Sequence, residues 1–157
     1  MKYYAGIGSR ETPPPVLDFM AKAALVLWGH RWVLRSGGAE GADTAFASGV
    51  PFPQDHQIFV PWDGFGEHPM EFPIPPEAYT IAQDHHPREL TRATRNIMAR
   101  NVMQVLGPDL QTPSSFLLCW TKDGKASGGT GQAIRVATTH SRSEEHTPEL
   151  QSRLHLV

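Results

Sequence analysis

Three glycine-rich stretches hold the residue types in this chain best suited to gripping an anion: 6-GIGSR-10, 36-SGGAEGAD-43 and 128-GGTGQA-133. Glycine lets backbone approach a phosphate closely, and the free N–H groups at the start of a helix carry partial positive charge. The candidate ligand-binding residues are Gly8, Ser9 and Arg10 in the first stretch and Ser36, Gly37, Gly38, Ala39, Gly41 and Asp43 in the second. The third adds Gly128, Gly129, Thr130, Gly131 and Gln132. Arg10 can pair with a phosphate. Asp43 suits a helix cap or bonds to backbone N–H groups, and Glu40 reads as a solvated loop charge. The spacing is not G-x-G-x-x-G, and no Gly-Lys-Ser/Thr follows, so an ordinary dinucleotide oxidoreductase or NTPase is disfavoured.

Further candidates lie outside these stretches. Arg100 and Asn101 fall in a helical segment and could reach a phosphate from its polar face. Trp62 and Trp120 end apolar runs, where an aromatic ring can stack on a base, and Thr121 follows directly. The run 84-DHHP-87, with His68, invites a metal reading, but adjacent histidines point in different directions and lack the spacing of a zinc site. Cys119 sits inside an apolar run and reads as core.

The elements that must position these residues follow from periodicity and punctuation. Residues 2–7 predict a strand, and 13-PPPVLDFMAKAALVLWGH-30 an amphipathic helix with Thr12 as its N-cap and Gly29 at its end. Strands are expected over 31–36, 57–62 and 115–120, and helices over 41–49, 87–107 and about 130–139. In the 87–107 helix, Leu90, Ile97, Val102 and Val105 would share an apolar face, with the arginines off it. Residues 63–79, rich in Gly and Pro, are expected to be a loop, of the kind that often lines a site. This alternation of strands and helices argues for an α/β fold, a Rossmann-like parallel sheet with helices on both faces. All three glycine stretches then fall at the C-terminal ends of strands, the edge where such sheets bind ligands.

Composition bounds the function classes. With 157 residues the chain suits one domain with its own core, and a formal net charge of −2 provides no basic face for duplex binding. Nucleic acid is therefore a poor partner. One cysteine cannot form an internal disulfide, no secretory signal opens the chain, and the run 23-AALVLW-28 is too short to span a bilayer, so a reducing cytosol is the expected setting.

Taken together, 4-YAGIGSR-10, 36-SGGAEGAD-43, 100-RNVMQVLG-107 and 116-FLLCWTKDGKASGGTGQAIRVA-137 resemble the SLOG superfamily, the Rossmann-like group that includes DprA and the LOG phosphoribohydrolases. The likeness is greatest to small stand-alone SLOG proteins of bacteriophages. It implies binding of a nucleotide-derived ligand of the ADP-ribose or cyclic ADP-ribose kind, without a further cofactor, and sequestration of a host immune signal in the cytoplasm. The alternatives it implies are a LOG-type nucleotide N-glycosidase and a DprA-like DNA-binding module. The hydrolases share a motif P-G-G-x-G-T-x-x-E, which here reads 127-SGGTGQAIR-135. Gln132 replaces the threonine, and Arg135 stands where the glutamate is expected. Without that carboxylate the enzymatic reading weakens, since an acid is the natural group to stabilise a ribosyl cation or activate water. Glu40 and Asp43 are the carboxylates left to substitute.

Residues 142–157 resemble, almost letter for letter, the translation of a common short-read sequencing adapter, with Pro148 departing where the adapter encodes Ser. On this reading the domain covers residues 1–141 and 142–157 is a non-native tail. The last helix would then lead towards a parallel strand that is missing. Either 153-RLHLV-157 pairs on that edge, or the edge stays open and favours a homo-oligomer.

Overall fold

The computed structural model describes residues 1–122, 128–140 and 154–156. Strand β1 (Lys2–Gly8) lies at the centre of a sheet ordered β3-β2-β1-β4-β5. Strands β2 (Trp32–Ser36), β3 (His56–Ile58) and β4 (Phe116–Trp120) run parallel to β1. Parallel neighbours need crossovers, and five helices lie between or after the strands: α1 (Pro14–Gly29), α2 (Ala42–Ser48), α3 (Pro76–Asp84), α4 (Arg92–Leu106) and α5 (Gly128–His140). The α/β Rossmann-like arrangement expected from the sequence is the observed one. No described helix is long and apolar enough to cross a membrane.

Side chains alternate across the sheet and divide the core into two layers. Tyr4, Leu34 and Trp120 pack against Met20 and Ala24 of α1 and Phe46 of α2. Ala5, Ile7, Leu117 and Cys119 face the other way, against Met98, Val102 and Met103 of α4 and Ala133 and Val136 of α5. Both faces of β1 are therefore buried, as a central parallel strand requires.

Several elements differ from the sequence-based expectation, each for a physical reason. Thr12 does not cap α1; its hydroxyl donates to Ser9 O at 2.6 Å, and Pro13 holds the cap position. β3 ends at Ile58, although Phe59 N still donates to Ser36 O at 2.9 Å before Pro61, which has no N–H to offer. The 63–79 stretch is not all loop, because α3 begins at Pro76 and buries Ala78 and Ala82. α4 starts at Arg92 rather than near residue 87, since the Gln83 side chain ties down the turn before it, donating to Arg88 O at 2.9 Å and accepting from Leu90 N at 3.1 Å. From Met98 to Leu106 α4 is buried on every side, between the sheet, α3 and α5. The expected polar face is thus absent there, and Arg100 and Asn101 are interior residues.

A fifth strand, β5 (Leu154–Leu156), pairs with β4. It runs antiparallel, with Leu118 opposite Leu156 and Trp120 opposite Leu154, whereas the strand expected on that edge was parallel. Of the two alternatives for 153–157, pairing on the β4 edge is therefore the one observed. The rest of the expected tail, and residues 123–127 of the loop before α5, lie outside the described residues.

Candidate functional site

Strand order reverses at β1: β2 and β3 lie to one side, and the chain then crosses over to place β4 on the other. Such a switch point opens a crevice at the C-terminal ends of the strands. A cleft of about 500 Å³ lies there. The loop after β1 lines it with Gly8, Ser9, Arg10 and Glu11, and the loop after β2 with Ala39 and, at the start of α2, Asp43. Trp120, Thr121 and Lys122 enter from the end of β4, and Gly128, Gly129 and Thr130 from the first turn of α5. Ile97, Met98, Arg100 and Asn101 of α4 form the wall, together with Phe65 from the long loop after β3.

Other candidates from the sequence stand outside the cleft. Ser36 is fully buried and donates to Gly6 O at 3.0 Å. Gly37 and Gly38 are buried and do not line the cleft, and Gly41 opens on a separate surface depression beside Glu40 and Thr44. The 128–132 segment is not a free turn, since α5 begins at Gly128 and only its first residues face the cleft. Gly131 and Gln132 are buried within that helix, and Gln132 Nε2 donates to Ala82 O at 2.9 Å, towards α3. Trp62 is 42% exposed and lies edge-on to Phe65, their ring centroids 5.3 Å apart. Trp120 lines the cleft, but it is only 4% exposed and belongs to the α1–α2 core, so its faces are taken. The aromatic available at the cleft is the half-buried Phe65, which sequence reasoning missed. A signal was present in 63-DGFGE-67, an aromatic bracketed by Gly64 and Gly66, both at positive φ.

Two buried ionisable groups dominate the wall. Asp43, 5% exposed, accepts a hydrogen bond at Oδ2 from Ala39 N at 3.2 Å, while its Oδ1 is buried with no partner. Burial raises the pKa of its carboxyl, and the nearby Arg100, the Ala39 N–H and the Ser36 hydroxyl only partly offset this. The Ser36 proton goes to Gly6 O in the hydrogen-bond geometry, so it does not satisfy Asp43 at the same time. Arg100 donates from Nε to Asn101 Oδ1 at 2.9 Å, and from Nη1 to the carbonyls of Gly37 and, at 3.2 Å, Phe59. Burial pulls its pKa down and Asp43 pushes it back up.

Position 37 holds these two apart. A Cβ there would lie 2.5 Å from Arg100 Nη1 and 2.7 Å from Asp43 Oδ2, so only glycine lets the turn pass between them. Gly41, at φ +84°, has a comparable role: a side chain would meet the Arg10 backbone at 2.8 Å, and its absence brings the loops after β1 and β2 together.

The rim is cationic but exposed. Arg10 makes no ion pair among the described residues, while Lys122 Nζ reaches Glu11 at 3.7 Å across the mouth. In water such a pair is worth only about 0–1 kcal/mol, so an incoming anion can displace Glu11. Among the described residues no group of three possible metal ligands occurs. His85 and His86 instead meet the carbonyls of Ile81 and Arg88 through their Nδ1 atoms, at 2.9 and 3.0 Å. Arg135 turns away from the cleft, and its Nε donates to His85 O at 2.9 Å.

In comparisons with known proteins, no family model, no curated protein and no solved structure matches the chain.

Proposed function

We propose that the protein binds a nucleotide-derived small molecule of the ADP-ribose or cyclic ADP-ribose class and holds it without cleaving it. The observation that carries this reading is the switch-point cleft, which joins an anion-attracting rim at Arg10, Lys122 and the start of α5 to a buried polar wall at Asp43 and Arg100. Phosphates suit the rim, through the free N–H groups of the helix start and the exposed cations. Phe65 offers the face on which a base can stack. Arg135, at the place where the resembled hydrolases have their glutamate, bonds to His85 O outside the cleft and leaves that place without an acid. In the bacteriophage setting implied by the SLOG resemblance, holding such a ligand in the host cytoplasm would sequester an immune signal.

The reading is tested by thermal shift with ADP-ribose, cyclic ADP-ribose, NAD and AMP, followed by heat denaturation of the complex and mass spectrometry of what is released. A ligand at roughly 100 times its Kd adds about 2.7 kcal/mol of stability, enough for a clear rise in Tm. The expected result is a shift with one of these ligands and its recovery intact.

A second reading is favoured by one observation. Asp43 is a cleft carboxyl with a pKa raised by burial, the property of a general acid or base. Recovery of free base or ribose phosphate in the same experiment would support an N-glycosidase and overturn the holding function.

A further inference from the structure

We infer that Asp43 determines ligand specificity by accepting a hydrogen bond from a ribose hydroxyl, so that the cleft selects ligands with a free diol; this rests on the nucleotide-binding reading above. Asp43 Oδ1 is a buried acceptor with no partner, and Asp43 lines the cleft at the switch point. An oxygen in that condition is costly until something donates to it. No side chain of the wall does so: the Ser36 proton is given to Gly6 O, and Asp43 and Arg100 form no ion pair. Arg100 supplies the complementary need, because its Nε and Nη1 are engaged and its Nη2 has no hydrogen bond among the described residues.

An unpartnered acceptor and an unpartnered donor on the two sides of Gly37 fit a group that both donates and accepts. A pair of vicinal hydroxyls does this, while the diphosphate bridge of ADP-ribose, fully ionised at neutral pH, has no proton to give Asp43 and is repelled by its negative charge. A phosphate therefore belongs at the other end, near Arg10, whose backbone packs against Gly41 only two residues from Asp43. The same arrangement rejects a ligand whose ribose carries a 2′-phosphate, or none of its hydroxyls.

The test is calorimetry of the full chain and its Asp43→Asn variant with ADP-ribose and with inorganic pyrophosphate, which has no sugar diol. The expected result is that the substitution lowers the affinity for ADP-ribose relative to pyrophosphate by about tenfold. An unchanged ratio overturns the inference while leaving nucleotide binding intact. Failure of the wild-type protein to bind either probe overturns both readings. Comparing AMP with 2′,3′-dideoxy-AMP on the wild-type protein gives a check that does not depend on the variant folding: AMP should bind about tenfold more tightly, and equal binding would refute the role of Asp43.

Discussion

Two arginines are buried on the same side of the sheet, each with its guanidinium near an aromatic ring, and they differ in what lies in front of them. Arg35, 1% exposed on β2, hydrogen-bonds to neutral groups, with the Asp109 carboxylate near enough to raise its pKa: its Nε donates to Gln57 Oε1 at 2.9 Å, and its Nη1 to Thr112 O at 2.6 Å and Ser114 Oγ at 3.2 Å. Its guanidinium lies 3.9 Å from the centre of the Tyr3 ring, and burial pulls its pKa down to about 10. Arg100, 4% exposed on α4, fronts a cleft and faces a carboxyl with an unpartnered oxygen. Arg35 joins β2, β3 and the loop before β4, so it is a clamp. Arg100 is held rigidly on one side and left open on the other, as a ligand site requires. Burial of a charge therefore does not mark function here. Nor does an incomplete set of partners, since the Nη2 of each arginine has no hydrogen bond among the described residues; what sets Arg100 apart is the cleft in front of it and the unpartnered oxygen of Asp43.

The largest effect expected from this contrast is on stability. Arg35→Leu leaves Gln57, Thr112 O and Ser114 without their donor and removes the stacking on Tyr3, and should cost about 3 kcal/mol in urea unfolding. The molecules that remain folded should bind ADP-ribose as the wild type does. Next comes Arg100→Lys, which keeps the charge but loses the fork that reaches both Asn101 and the Gly37 carbonyl. It should weaken ADP-ribose by about tenfold in calorimetry. If Arg35→Leu abolished binding in folded protein, or Arg100→Lys left it unchanged, the division between clamp and site would fail.

The same contrast explains what could be read from the chain in advance. β1, α1, β2, α2 and β4 were legible because their signals are local: apolar runs bounded by Gly and Pro. That part of each glycine stretch would meet at one cleft was legible because each stretch lies at the end of a strand or the start of the helix after it, and a parallel sheet gathers such segments on one edge. α3 was hidden by the prolines around it, its signals being only Pro76 in the first turn and the buried pair Ala78 and Ala82. The burial of Arg100 could not be read from the periodicity of α4, because it comes from elements packing on all sides of that helix. Trp120 lies in the core and Phe65 at the cleft for a similar reason. The strand pleat turns Trp120 into the α1–α2 core, and a loop distant in sequence carries Phe65 back over the cleft.

Asp43 sharpens the comparison through pH. Its pKa is raised in the folded protein, so between its ordinary value and that higher value the folded state holds a proton that the unfolded state has lost. Its contribution to stability is therefore complete below about pH 4 and falls as pH rises through the folded-state pKa. Asp43→Asn removes this dependence. The variant should melt roughly 2–4 °C above the wild type at pH 7, with the gap closing towards pH 4. An equal or lower Tm at pH 7 would mean that Arg100 fully compensates the buried charge, and the site would then be as closed as the Arg35 clamp.

The smallest effect belongs to Arg10, because its side chain is exposed and forms no ion pair among the described residues. Nothing in the fold depends on its charge, so Arg10→Ala should leave urea unfolding unchanged. If Arg10 meets a ligand phosphate at the rim, the variant should weaken ADP-ribose by about two- to threefold at low salt, and less as salt screens the charge. Arg100 lies out of water and should show little such salt dependence. The difference in salt response therefore separates a rim cation that attracts the ligand from a buried one that positions it. Matching responses in Arg10→Ala and Arg100→Lys would remove that distinction.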